Sequence, residues 1–512
     1  MSILEPSPEE QRRILEYVAG FIVDHAAGIA RLPVAVRADR DAIRRQLDAV
    51  GVETATDAGV VIDRVVALLT DGMVHTAHPR YFGLFNPAPS FMGIVAELIV
   101  AAFNPQLAAW SHAPAAVEME AWTIDYLAGR CGLDGPVGGS FTSGGAEANA
   151  SALHLALTRA IPDMATAGLA APGVRPTLYA SSESHLAWLK IAHVSGVGRD
   201  AVRLVPTDAR LRMDPDALRR LMAEDTAAGH RPVLIVGTAG TTSAGVVDPL
   251  TELAGIAADY GCLFHVDAAW AGAAVLSDRL RPHLAGIERA DSVTIDPHKW
   301  MSVPMGAGAF ITAHPGLLAE SYRVETSYMP DRVEATVDPY THSIQWSRRF
   351  AGLKVFLTLA TVGREGYSAQ LEHDTRLGDR LREGLVATGW SVRNHTPLPV
   401  VCFADPYRVG DDEHHRRIAA DVVESAAAWL STTIIGGEPC LRACICSHRT
   451  TDGDVDALVT RLAAARPGEP PHRDFTRPRT CTPRPHRVSS RCARPDQRSP
   501  RMQSHHAEAG MI

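Results

Sequence analysis

The chain has 512 residues, 46% of them hydrophobic and 21% charged, with a formal net charge of −8 and an isoelectric point near 6.3. This balance leaves no basic footprint for nucleic acid, and charged residues interrupt every apolar run before membrane-spanning length. Eight cysteines in so long a chain make no disulfide framework. The length exceeds the usual single domain, so one large and one small unit are expected. Met1-Ser2-Ile3-Leu4-Glu5 begins no secretory leader, and a cytoplasmic location is expected.

In chain order, residues 8 to about 75 read as helices, with Ile14, Val18, Phe21, Ile22 and His25 at helical spacing. From about 90 to 365, helices alternate with short apolar runs: Thr177-Leu178-Tyr179, Val202 to Val205, Val233 to Val236, Cys262 to Val266 and Ser292 to Ile295. Such alternation predicts an α/β fold with a mostly parallel sheet and helices on both faces. Thr142-Ser143-Gly144-Gly145-Ala146-Glu147-Ala148-Asn149 opens a run of strong helix formers, and Asp214-Pro215 marks another helix start, cap then proline. Residues 313 to 345 are polar and proline-punctuated. After about 366 a smaller α/β unit follows, with Leu398 to Phe403 and Leu441 to Cys446 as strands. Cys440, Cys444 and Cys446 cluster there, but no second ligand pair follows, so no metal site is expected. Beyond about Pro467 the chain is crowded with proline and arginine and nearly free of aliphatic residues, which predicts a disordered tail. The expected organisation is thus an N-terminal helical segment over residues 1–85, a large domain over 86–365, a small domain over 366–466 and a basic tail over 467–512.

The chemistry concentrates in two stretches, His265-Val266-Asp267-Ala268-Ala269 and Asp296-Pro297-His298-Lys299-Trp300. Each follows or ends a strand-like run, and together they suggest pyridoxal phosphate. That cofactor needs a lysine amine for a Schiff base with its aldehyde and a carboxylate beside its pyridine nitrogen. Lys299 and Asp267 suit those roles. Two unit charges about 4 Å apart at an effective dielectric near 20 interact by roughly 4 kcal/mol, which raises the nitrogen's pKa by about three units. His265 and Asp267 share one face of their strand by its period of two. The cofactor's phosphate needs an anchor, and small residues at Gly144-Gly145-Ala146 let a backbone with unpaired N–H groups approach it at a helix start. No Gly-Lys-Ser/Thr follows, so this is not a Walker loop.

At these residues the chain resembles the group II pyridoxal-phosphate-dependent amino acid decarboxylases, which include aromatic-L-amino-acid, histidine, glutamate and cysteine sulfinate decarboxylases. His78-Pro79-Arg80-Tyr81-Phe82 is similar to the family's N-terminal motif, Thr142 to Asn149 to its phosphate loop, and Ser184-His185 to its ring-stacking histidine. Gly240-Thr241-Thr242 precedes Asp248 at family-like spacing, and His265 to Gly272 and Asp296 to Trp300 follow in order. Ser347-Arg348-Arg349-Phe350 with Leu353-Lys354, then Leu441-Arg442 with Arg449-Thr450-Thr451, carry the likeness nearly to residue 460. It implies the fold-type-I architecture and a homodimer in which the N-terminal helices wrap the partner. It also implies a cofactor shell of Gly145, Ala146, His185, Thr242, Asp248, Asp267, Ala269, Asp296, His298 and Lys299. Within that shell His185 stacks on the ring, Thr242 and Asp248 brace its pyridine side, and His298 contacts the phosphate. Ala146 stands where many relatives carry a hydroxyl, which leaves the backbone donors intact.

The implied activity is decarboxylation of an L-amino acid to its amine and carbon dioxide, with Lys299, His185, Asp267 and Tyr328 as catalytic residues. Thr326-Ser327-Tyr328-Met329 is similar to the family's catalytic loop, in which a tyrosine delivers the final proton. Relatives with phenylalanine there tend toward oxidative aldehyde formation. Phe85, Phe103 and Trp110 offer aromatic surface, and Trp346 fills a position associated with substrate discrimination, so an aromatic substrate is favoured. Two other readings stay open: another fold-type-I enzyme, such as an aldehyde synthase, aminotransferase or carbon-carbon lyase, and a cofactor-binding scaffold without catalysis.

Overall fold

A computed structural model of the chain describes residues 4–170, 173–324, 326–329 and 333–466. Seven strands form the main sheet: β1 (Gly138–Thr142), β2 (Pro176–Ser181), β3 (Val202–Val205), β4 (Arg231–Thr238), β5 (Leu263–Asp267), β6 (Ser292–Ile295) and β7 (Gly308–Thr312). Their order is β1-β7-β6-β5-β4-β2-β3. The β3, β2, β4, β5 and β6 strands run parallel, whereas β7 is antiparallel to both β6 and β1. The architecture is therefore α/β with a mixed, mostly parallel sheet.

The short apolar runs become strands because both faces of the sheet are covered, and consecutive side chains enter different cores. Leu234, Val236, Leu263 and Phe310 pack with Leu153, Ala156 and Leu157 of one helix, while their neighbours Ile235, Phe264, Ala309 and Ile311 join a core on the opposite face. A strand buried on both faces shows no polar alternation.

Six N-terminal helices are used below: α1 (Pro8–Gly28), α2 (Arg40–Val50), α3 (Ala58–Gly72), α4 (Phe91–Phe103), α5 (Pro114–Cys131) and α6 (Gly145–Ala160). None of the residues in α1, α2 or α3 is buried, although α3 is strongly apolar. Asp214 caps the helix Pro215–Ala227, accepting from the N–H groups of Asp216 and Ala217. The long helix Gly352–Ala387 is broken at Gly363, whose φ of 71° lies in the region that favours glycine.

A second, antiparallel sheet holds β8 (Ser391–Val392), β9 (Val400–Ala404), β10 (Ser431–Ile435) and β11 (Glu438–Cys444) in the order β10-β11-β9-β8. The expected strand from Leu398 starts two residues later, after Pro399, which has no N–H to give a ladder. Cys440 and Cys444 lie in β11 and Cys446 just beyond it. All six cysteines among the described residues are free and buried. No helix among the described residues is long and apolar enough to cross a membrane. The tail at 467–512, expected to be disordered, lies outside the described residues.

Candidate active site

Because β1, β5 and β6 point the same way, their carboxyl ends deliver Ser143 to Ala146, Asp267 to Ala269 and Asp296 to Lys299 to one edge of the sheet. This is where open α/β sheets hold ligands. A cavity of about 570 Å³ opens there. Of the predicted site residues, Gly145, Ala146, His185, Thr242, Asp267, Ala269, Asp296, His298 and Lys299 all line it.

Asp267 ends β5 only 4% exposed. One carboxylate oxygen accepts from Asn149 Nδ2 at 2.8 Å, the other from the Ala269 N–H at 3.2 Å. Asn149 is itself set by His265, whose Nε2 lies 3.0 Å from Asn149 Oδ1, while His265 Nδ1 meets Ser292 Oγ at 2.8 Å. Burial pushes the His265 imidazole down to about 4, so it is neutral at physiological pH. Since Asn149 spends its amide hydrogens on Asp267, its oxygen must accept, which places the imidazole proton on Nε2. The relay from Ser292 through His265 and Asn149 thus ends with donors aimed at a buried carboxylate. Asn149 was not among the predicted site residues. Its position one turn past Gly145, on the face toward β5, was the available signal.

The chain contains three lysines, Lys190, Lys299 and Lys354, and only Lys299 faces the cavity. Lys354 is buried against Glu97, and Lys190 is exposed on a helix. Lys299 Nζ lies 2.9 Å from Asp296 Oδ2, while Asp296 Oδ1 is buried without a partner. The glycines at the mouth of α6 are required by close approach. A Cβ on Gly145 would stand 2.8 Å from Asp296 Oδ2, and one on Gly144 would stand 3.2 Å from the His298 ring. The result is a bare helix N-terminus facing an amine and a buried carboxylate across one cavity. Such a set accommodates a phosphorylated aldehyde carrying a basic ring nitrogen.

Two predicted site residues are not brought to the cavity wall. Asp248 is buried behind it, its oxygens accepting from the N–H groups of Met213 and Thr238 at 2.7 and 2.8 Å. Burial pushes its carboxyl up to about 7. It braces β4 beside the cavity-lining Thr238 and makes no direct contact with the cavity, because both oxygens are engaged by backbone. Tyr328 is 74% exposed and stacks on Trp346 at 6.0 Å. Among the aromatics, Phe85 lines the cavity, whereas Phe103 is exposed at the end of α4, Trp110 donates to Glu118, and Trp346 packs on Tyr340. Trp270, not anticipated as a wall residue, stacks on Phe85 with centroids 4.5 Å apart and planes at 14°. Its Nε1 donates to Gly240 O, and the approach is close enough that Gly240, at φ 93°, must be glycine.

Behind Lys299, Trp300 Nε1 donates to Asp374 Oδ2 at 2.8 Å, and Gln370 donates to the other oxygen. Burial pushes the Asp374 carboxyl up to about 7. The folded protein therefore keeps a proton that the unfolded chain releases above about pH 4. Stability falls as pH rises from about 4 to about 7, by on the order of 4 kcal/mol from this group, and the loss is constant above that. Asp374→Asn removes the dependence. Urea denaturation of variant and wild type should show the stability gap moving in the variant's favour by a few kcal/mol between pH 4.5 and 7.5. A gap that ignores pH would refute a buried acid here.

Comparison with known proteins agrees with this geometry. The chain is 28% identical over 472 residues to an aromatic-L-amino-acid decarboxylase of Bacillus atrophaeus, covering 90% of this chain and 96% of the relative. It is 29% identical over 478 residues to a tyrosine decarboxylase of Oryza sativa subsp. japonica, covering 87% and 89%. Among solved structures, Oryza sativa TDC with PLP and tryptamine superposes with a TM-score of 0.85 at 26% identity, over 90% of this chain and 99% of that one. Mouse CSAD gives 0.83 at 26% identity over the same shares. The pyridoxal-dependent decarboxylase conserved domain matches residues 42–405. The chain belongs to the pyridoxal-dependent decarboxylase family, and its cofactor is pyridoxal phosphate.

Proposed function

We propose that this protein decarboxylates an aromatic L-amino acid to the corresponding amine and carbon dioxide. The observation that carries the substrate class is the Phe85–Trp270 stack in the wall of the cavity that also holds Lys299 and Asp267. A flat aromatic wall suits an aromatic side chain, worth about 0.5–1.5 kcal/mol beyond buried area for each well-placed ring pair. The relatives named for aromatic substrates support the same class.

When bound, pyridoxal phosphate supplies an electrophilic aldehyde and an electron-accepting ring. Among the described residues Lys299 offers the one lysine amine lining the cavity, held by Asp296. Asp267, held in place by Asn149 and the Ala269 N–H, would be the carboxylate beside the cofactor's ring nitrogen. The Gly145 and Ala146 backbone would hold the phosphate, and His185, exposed at the mouth, would cover the ring and meet the substrate carboxylate. Tyr328 delivers a proton to the substrate carbon once its segment moves from Trp346 or once a second copy brings the residue within reach.

The exposed position of Tyr328 is also the one observation favouring a second reading, in which the same site makes an aldehyde. Incubation of the holoprotein with each of the twenty amino acids and with cysteine sulfinate in air, with products identified by mass spectrometry, distinguishes them. Aromatic amino acids should yield amine and carbon dioxide in equal amounts. Turnover confined to acidic or sulfinic substrates would remove the aromatic assignment, and cofactor bound without any turnover would leave a scaffold.

We also propose a homodimer. The α3 face with Val65 and Leu69, 41% and 51% exposed, has no cover among the described residues, and apolar patches of this kind mark association sites. Sedimentation equilibrium should give about twice the 54.9 kDa chain mass. Val65→Asp with Leu69→Asp should shift the equilibrium toward monomer, and a monomeric wild type would refute the proposal.

A further inference from the structure

We infer that Gln345 and Glu147 form a clasp coupling the segment that carries Tyr328 to occupancy of the phosphate cradle. Gln345 Nε2 donates to Glu147 Oε1 at 2.7 Å. The other oxygen, Oε2, accepts from the backbone N–H and the hydroxyl of Ser143 at 2.8 and 2.7 Å. Ser143 lines the cavity between β1 and α6. One carboxylate therefore ties the cradle to a residue 198 positions away in the chain. On the far side of the clasp the next residue, Trp346, packs its ring on Tyr340 at 4.9 Å and on Tyr328 at 6.0 Å. A displaced Gln345 moves the seat on which Tyr328 rests.

Charge makes the tie responsive. Glu147 sits in the first turn of α6, where the positive end of the helix favours an anion. A phosphate arriving at the Gly145 and Ala146 amides competes for that same positive end. The nearby negative charge raises the need of Glu147 for other donors, and these are Ser143 and Gln345. Phosphate thus tightens the Gln345 bond, and by linkage an intact bond tightens phosphate by the same factor. The clasp acts by positioning, touches no reacting atom, and holds whichever amino acid is the substrate, so it goes beyond the proposed reaction.

The test uses the full chain with and without pyridoxal 5′-phosphate, reading hydrogen exchange over residues 333–346 and the cofactor dissociation constant. In wild type the cofactor should slow exchange by about three- to tenfold, on the order of one net hydrogen bond. Gln345→Glu sets two carboxylates against each other. It should abolish the cofactor dependence of exchange and weaken cofactor binding by about the same factor. Glu147→Gln keeps a bonded pair, because the Gln345 amide can turn, but it removes the charge that answers the phosphate and should lose the dependence. Glu147→Gln combined with Gln345→Glu restores an amide–carboxylate pair with roles exchanged and should slow exchange relative to Gln345→Glu, but without cofactor dependence, because the charge no longer sits at the end of α6. Thermal melts confirm that each variant is folded. The inference is overturned if folded Gln345→Glu or folded Glu147→Gln keeps the wild-type response.

Discussion

Lys299→Ala and Lys299→Arg should each lose at least about ten-thousandfold in turnover, the scale seen when a covalent group is removed. They should differ in stability. The backbone around Lys299 is held without its side chain, since its N–H bonds Asp296 O and its carbonyl accepts from Ser302 N. Both variants therefore fold. In the alanine variant the buried Asp296 carboxylate, already with one unpartnered oxygen, loses the lysine that pairs with it, which costs about 3–5 kcal/mol. Arginine keeps the charge but stays protonated and cannot form the bond to the aldehyde. Borohydride reduction followed by peptide mapping gives a direct readout, helped by the presence of only three lysines. Wild type should carry the phosphopyridoxyl label at Lys299 and both variants none. Label at Lys190 or Lys354 would remove the central assignment.

What could be read from the chain alone followed from local rules. The run Val233 to Val236 lies within an observed strand because burial on both faces writes itself as continuous apolar sequence. The period of two placed His265 and Asp267 on one face, and Asn149 indeed touches both. Glycine at 144 and 145 was legible as a cradle, since only a missing Cβ admits Asp296 and His298 so close. The remainder depends on partners distant in sequence. Nothing near β7 announces that it runs against its neighbours, because β1 comes from far earlier in the chain and β6 is joined to it by the loop 296–307 rather than by a tight hairpin. Trp270 reads as part of a small-residue motif until Phe85, 185 positions earlier, lies flat on it. Phe103 and Trp110 had equal claim to the pocket, and only packing separates them from Phe85. Asp248 kept its predicted neighbourhood but turned its carboxylate to the backbone of Met213 and Thr238.

Tyr328→Phe should change the product more than the rate of carbon dioxide release. Loss of carbon dioxide needs only that the substrate carboxylate be held across the ring plane, a task that falls to groups within the cavity. Finishing the reaction as an amine needs a proton at the substrate carbon, and a positioned acid contributes roughly a hundred- to ten-thousandfold to that delivery. With the hydroxyl gone, the electron-rich carbon persists long enough to meet dissolved dioxygen. The balanced outcome is amino acid plus dioxygen plus water giving aldehyde, carbon dioxide, ammonia and hydrogen peroxide. Phenylalanine retains the ring that stacks on Trp346, so the segment keeps its packing and the change isolates the hydroxyl. Peroxide and ammonia assays beside amine quantification should show amine falling at least about a hundredfold relative to carbon dioxide in the variant. In wild type the two should match. If the variant still makes amine in proportion to carbon dioxide, the proton comes from elsewhere. Because Tyr328 lies outside the cavity of its own chain, a mixed dimer of Lys299→Ala and Tyr328→Phe subunits then decides where it acts. Recovery of amine production would place the tyrosine of one subunit over the cavity of its neighbour, since only a pairing across the interface joins an intact lysine to an intact hydroxyl.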